Sequence, residues 1–214
     1  MSKGTMGALG CLGLLVLGAV ILGLMAWSSN NRFVSLEQAV EAQWAQVENV
    51  YQRRADLIPN LVATVQGAAA FEKSTLEAVT AARASVGRAQ IDAGRITDDP
   101  AAFARFEQAQ GALSSALSRL MVVVERYPEL KANQNFRDLQ AQLEGTENRI
   151  TVERMRFNEV AQAYNTAIKQ FPGRVFAGLL GFKDKAYFKA QAGAEQAPKV
   201  EFNFGASPSP SPAR

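Results

Sequence analysis

Carboxylates and bases are the residues in this chain with chemistry to offer, because its 214 residues include no histidine and one cysteine. Without histidine, neither a Ser-His-Asp nor a Cys-His nucleophilic set can be assembled. A Cys/His zinc site and an internal disulfide are excluded on the same count. What composition still allows is hydrolysis by carboxylates or a lysine, and no motif for it is visible. Glu72, Glu77 and Glu107 fall on helical stretches without the Glu-x-x-His spacing of a di-metal bundle. Asp98 and Asp99 stand directly before Pro100, which suits a helix cap better than a cation site. No glycine-rich phosphate loop follows a strand. The sequence therefore predicts no catalytic residue, no cofactor and no metal ligand.

One charge is out of place. Val40, Trp44, Val47, Tyr51, Ile58, Leu61 and Val65 recur by threes and fours, an apolar seam along one helix. Continuing that seam puts Arg54 between Tyr51 and Ile58. An unpaired guanidinium in a core is costly, so a partner is required. Thr146 and Glu147 lie beside the seam of a later helix, with Asn148 and Arg149 next. The spacing predicts a polar layer in which Arg54 meets Glu144 or Glu147 and sets helix register. A ligand or partner site and simple solvent exposure are the competing readings.

Four main helices must position these groups. The first runs from about Val34 to Gly67 and is expected to kink, not end, at Pro59, since the seam continues in phase beyond it. The second, about Phe71 to Gln90, is alanine-rich. Gly94 and Thr97-Asp98-Asp99 separate it from a third, about Pro100 to Tyr127, with Phe103, Phe106, Leu113, Leu117, Leu120, Val124 and Tyr127 on one seam. Pro128 stops that helix. The fourth runs from near Asn135 to about Gln170, and Phe136, Leu143, Ile150, Phe157, Tyr164 and Phe171 lie seven apart along it. Helices of these lengths with short breaks predict an all-α, elongated, antiparallel four-helix bundle. The apolar run 174–182 is too short to span a membrane; it reads either as a closure of one bundle end or as a membrane-surface or partner contact. Val200, Phe202 and Phe204 alternate like a short strand or a docked extended tail.

The chain divides into an anchor (1–31), a helical body (32–204) and a Ser/Pro-rich, disordered tail (205–214). From Gly4 to Asn31 no residue is charged, and Met6 to Trp27 is almost wholly apolar. As a helix that run spans about 33 Å, enough for a hydrocarbon core of about 30 Å. It is too long for a signal-peptide core, and Ala26-Trp27-Ser28 makes a poor cleavage site. Cys11 precedes the apolar stretch instead of following it, which argues against lipidation. Ala19 and Gly23 have small-xxx-small spacing, a weak dimerisation signal. Lys3 and the α-amine before the helix, against Arg32 after it, tilt the orientation toward a body outside the cytoplasm. Net charge is +3, from 23 bases and 20 acids. Arg53-Arg54 is the lone adjacent basic pair, so nucleic acid is not an expected partner.

Several motifs resemble, in order, the LemA family. They are Arg53-Arg54-Ala-Asp56-Leu-Ile-Pro59-Asn60, Phe71-Glu72-Lys73 through Ala84, Tyr127-Pro128 through Phe136, and Leu143-Glu144-Gly145-Thr146-Glu147-Asn148-Arg149-Ile150. Phe157-Asn158, Tyr164-Asn165, Phe171-Pro172, Gly181-Phe182 and Pro198-Lys199-Val200 continue the match, which extends from about residue 34 to 202. The resemblance implies a bacterial single-pass membrane protein with a helical-bundle body and no established catalysis. Its motif residues Arg53, Asp56, Pro59, Asn60, Asn148 and Arg149 read as structural signatures. Together these readings predict a non-catalytic scaffold or assembly protein of the bacterial envelope. It would sit in the inner membrane with its body on the periplasmic side, touch lipid through the anchor, and self-associate as an extension of that role. An adaptor or regulator of a membrane enzyme, such as a sensor partner or envelope protease, is the alternative.

Overall fold

The computed structural model describes residues 3–67, 72–91 and 96–189. Helix α1 runs unbroken from Lys3 to Gln66, 64 residues, or about 96 Å at 1.5 Å per residue. The anchor and the first body helix are thus one element, and the boundary expected at residue 31 is a change of surface within it. The local reason is in the sequence: neither glycine nor proline occurs between Trp27 and Ile58. Ser28 to Asn31 end the apolar run without ending the helix.

Pro59 lies inside α1, and the helix continues past it. Proline has no amide hydrogen to give the carbonyl four residues back, here that of Ala55. Arg83 donates to that carbonyl instead, Nε to O at 2.9 Å. Arg83 belongs to α2 (Lys73–Ile91), so the bond the proline cannot make becomes a tie between helices.

A 3-10 turn at Ile96–Asp98 leads into α3 (Pro100–Val124). Asp99 caps α3: its carboxylate accepts from the amides of Ala101 at 2.8 Å and Ala102 at 3.2 Å. With Pro100 in the first turn, three of the free donors at the helix start are satisfied or removed. The chain then forms α4 (Pro128–Ala132), α5 (Gln134–Lys169) and α6 (Gly173–Leu180). Among the described residues six α-helices therefore stand where four were expected. The third expected helix ends at Val124 and resumes after Tyr127 as the short α4. Residues 182–189 are an extended strap without regular secondary structure. Positions 200–204 and the tail lie outside the described residues.

α1 packs along α5, and α2 along α3. Phe136, Leu143, Ile150, Phe157 and Tyr164 of the sevenfold repeat are all buried, but Phe171 is 86% exposed. The chain has left the helix before it gets there: Gln170 is extended, and Pro172 disfavours helical backbone at Phe171.

The interior forms two cores. One, nearer the anchor, holds Phe33, Trp44, Tyr51, Phe103, Phe106, Phe157, Tyr164, Phe176 and Phe188. The other holds Ile58, Leu61, Val65, Leu76, Val79, Leu113, Leu120 and Leu143, with Phe136 as its buried ring. The aromatic core takes nothing from α2, and the aliphatic core takes nothing from the strap or α6.

Candidate functional site

Three helices bring polar groups to the level between the two cores. On α1, Arg54 falls between Tyr51 of the aromatic core and Ile58 of the aliphatic one; on α3, Gln110 falls between Phe106 and Leu113; on α5, Glu147 falls between Leu143 and Ile150. Arg54 is 1% exposed. Its Nη1 donates to Glu147 Oε1 at 2.6 Å and to Ser114 Oγ at 3.0 Å. Its Nη2 donates to the Gln110 side-chain oxygen. The guanidinium also lies 5.2 Å from the centre of the Tyr51 ring. The charge is offset by an ion pair, two neutral acceptors and a ring face. Burial pushes the Tyr51 phenol above its ordinary value, against the opposing pull of Arg154 and Arg54.

Glu144 is not part of this layer. It faces solvent and accepts from Gln140 at 3.0 Å. One helical turn separates it from Glu147, and that turn rotates it off the line to Arg54. Arg53, Asp56, Pro59, Asn60 and Arg149 are exposed and lie away from the layer, and Asp56 accepts from Gln52 at 2.7 Å. Asn148 lines a cleft of about 580 Å³ between α3 and α5, with Ser114, Ser118, Gln140, Glu144 and Glu147.

A second polar cluster was not visible in the sequence. Lys185, on the strap, is 3% exposed. Its ammonium donates to Glu37 at 2.8 Å and to Asp98. Burial alone would draw Lys185 down, but the bonds to Asp98 and Glu37 outweigh it and leave the group raised. Of the two aspartates read as a cap, Asp99 caps and Asp98 holds the strap. Two asparagines of α5 act as surrogate strand partners for the strap backbone. Asn165 donates to the Lys185 carbonyl and accepts from its amide, both at 2.9 Å. Asn158 does the same with Phe188, again at 2.9 Å each way. Both asparagines follow a core aromatic, seven residues apart, and that pairing was the one signal available. Arg154 closes the strap end, 4.5 Å from the Phe188 ring and bonded to Glu107 at 3.3 Å.

Most of these polar atoms pair with one another, while among the described residues Arg54 Nε, Gln110 Nε2 and the Tyr164 hydroxyl are buried with no hydrogen-bond partner. Among the described residues no group of three or more carboxylates, cysteines or histidines is placed to hold a metal ion. The arrangement joins α1, α3 and α5 at one level and ties the strap to α5.

Comparison with known proteins agrees in kind. The LemA family model matches residues 43–202. A magnetosome protein, MamQ, of Magnetospirillum gryphiswaldense is 31% identical over 194 residues, covering 81% of this chain and 71% of the relative. Two further magnetosome proteins, MamQ 2 and MamQ 1 of Paramagnetospirillum magneticum, are 30% identical over 174 residues, 74% of this chain and 64% of each relative. These matches and the apolar first half of α1 point to a membrane-associated protein. The matched range takes in the buried layer around Arg54 and the strap with the asparagines that hold it: the chain belongs to the LemA family.

Proposed function

We propose that this protein is a membrane-anchored scaffold or assembly component of the bacterial envelope. Its four long helices work as one bundle that presents surfaces to other proteins. The observation that carries the reading is the continuity of α1. No hinge separates the apolar span from the helix whose Phe33, Val40 and Trp44 enter the core. The body is therefore held at a fixed distance and angle from the span, as suits a post in an assembly. A flexible linker would suit a body that searches for substrate. The buried charges support the same reading, since Arg54 pairs with Glu147, and Lys185 with Glu37 and Asp98. The MamQ relatives are named as magnetosome proteins, which fits a component of a larger structure.

The positive-inside balance places the body on the periplasmic side of the inner membrane in this proposal. A Ser207→Cys variant, with Cys11 replaced by serine, tests it. In intact spheroplasts a membrane-impermeant maleimide should label the new thiol before lysis. Labelling only after lysis would put the body in the cytoplasm. Self-association is read by mass photometry of the detergent-purified full chain, and a monodisperse monomer at all concentrations would remove the self-assembling form of the scaffold.

The cleft between α3 and α5 favours a second reading, an adaptor for a membrane enzyme. It has both apolar lining, from Leu117, Met121 and Leu143, and polar lining, from Ser118, Gln140 and Asn148. A photo-crosslinker at Ser118 that yields one heterologous membrane protein, lost on Leu117→Glu, would support the adaptor over the scaffold.

A further inference from the structure

Helix α6 is apolar on both faces. Its inner face, Gly173, Phe176 and Ala177, is buried against the aromatic core. Gly173 is held so closely that a Cβ there would lie 2.4 Å from the Ala167 carbonyl oxygen and 3.1 Å from the Phe33 ring. The helix ends at Gly181 in the left-handed region (φ 82°), with the Phe182 amide returning to the Ala177 carbonyl at 3.0 Å. The element is built and docked, yet its outer face is not covered. Val175 is 61% and Leu179 81% exposed, one turn apart on the helix, with Leu180 beside them at 45% and Phe171, just before the helix, at 86%. Outside the anchor and this row, the large exposed apolar side chains among the described residues are Val34 on α1, Val122 on α3, Val152 and Met155 on α5, and Tyr187 on the strap.

The position of this row on the molecule says what covers it. Pro172 shares a surface depression with Ile21, Leu24, Met25, Ser28 and Ser29 of α1. Those residues straddle the point where the apolar span gives way to Ser28–Asn31, and exposed Trp27 marks the same level, as aromatic residues do at a membrane interface. Two exposed bases are next to the row along the chain, Arg174 within α6 and Lys183 just after it, and bases beside an apolar face are the pattern of a helix lying in a headgroup layer. The start of α6, at Pro172, therefore lies against the lower part of the span, at the end of the body from which the span emerges.

We propose that α6, with Phe171, is a second membrane contact: a monotopic foot. Its outer face enters the headgroup–acyl boundary of the leaflet from which the body emerges. One span leaves a body free to rotate about the span axis; a foot beside it fixes one face of the body toward the bilayer. The proposal depends on the anchor being in a membrane and is independent of whether the body serves as scaffold or adaptor.

The test uses the full chain, Cys11→Ser, reconstituted in vesicles of phosphatidylcholine and phosphatidylglycerol. An environment-sensitive fluorophore is placed at Leu179→Cys or, as reference, at Val122→Cys. Lipids carrying a nitroxide near the top of the acyl chain act as quenchers, matching the expected depth of about 5–10 Å. Quenching at 179 should exceed that at 122 on the order of threefold, with a blue-shifted emission. Equal quenching at the two sites would overturn the proposal. A blue shift at 179 that needs a high protein-to-lipid ratio and shows no lipid quenching would assign the face to a second copy of the chain instead, and also overturn it. Both sites are exposed, so circular dichroism and melting of the labelled variants should match the parent; a second label at Val175→Cys repeats the reading should one variant fail to fold.

Discussion

The two halves of the body solve one packing problem with different materials. In the half far from the membrane, α1, α2, α3 and α5 meet over aliphatic side chains. In the half near it, α2 contributes nothing to the core, and the extended strap stands in its place. A strap brings fewer inward side chains per length than a helix, and its backbone groups need partners of their own. Large rings fill the gap. Trp44 meets Phe103, Phe106 and Phe157 at centroid distances of 5.4–5.8 Å, edge-on or tilted, and Phe188 of the strap completes the set. Asn158 and Asn165 supply the backbone partners. Arg54 marks the level at which one solution changes to the other.

That contrast can be broken from either side. Trp44→Ala removes the ring that touches α3, α5 and the strap together, and should cost about 4 kcal/mol of unfolding free energy. Leu61→Ala, in the aliphatic half, should cost about 3 kcal/mol, because neighbouring helices can close part of the space. Denaturant unfolding of the full chain in detergent compares the two. An equal or reversed order would mean the aromatic half is no more dependent on single residues than the other.

The polar layer comes next in size. Arg54→Ala should lower stability by about 3 kcal/mol, since it leaves Glu147, Gln110 and Ser114 without their shared donor and opens a void. The double change Arg54→Met/Glu147→Leu should recover most of that loss, because both members of the buried ion pair are then replaced by apolar groups. An unchanged melting temperature in Arg54→Ala would show that the two cores need no layer between them.

A smaller effect, confined to the near half, is expected from Asn165→Ala. It removes two bonds to the strap and should cost about 1–3 kcal/mol. Amide exchange at Lys185 and Phe188 should speed up while α2 amides keep their protection. The strap also carries a pH signature. Lys185 is raised in the folded state, so its contribution is complete below the usual lysine value of 10.5 and fades as pH climbs through the higher folded value. Melting of the parent should fall in that alkaline window, and Lys185→Met should weaken the dependence there, the buried Tyr51 and Tyr164 phenols, both raised by burial, carrying the remainder.

The smallest effect tests the tie across Pro59. Arg83→Ala should cost about 1 kcal/mol in the parent. In a Pro59→Ala background the amide of residue 59 can return to the Ala55 carbonyl, and the same change should cost close to nothing. Additive losses in this double-mutant cycle would show that Arg83 does not stand in for the missing bond.

Sequence alone determined what depends on neighbours along the chain. The apolar span, the seams of α1 and α5, the Asp99 cap before Pro100 and the placement of Arg54 on a buried face all follow from periodicity and local capping within a few turns. Continuity through Pro59 was legible for the same reason. Tertiary structure decided whatever needed two distant segments in register. It chose Glu147 over Glu144, since the pair depends on how α5 is rotated against α1. It gave Asp98 to Lys185, 87 residues away, and Ala55 to Arg83. It replaced α2 with the strap near the membrane, and it turned Phe171 outward after α5 had ended. A period of seven predicts which side of a helix is buried, but carries no information on where the helix stops or on which element arrives to cover it.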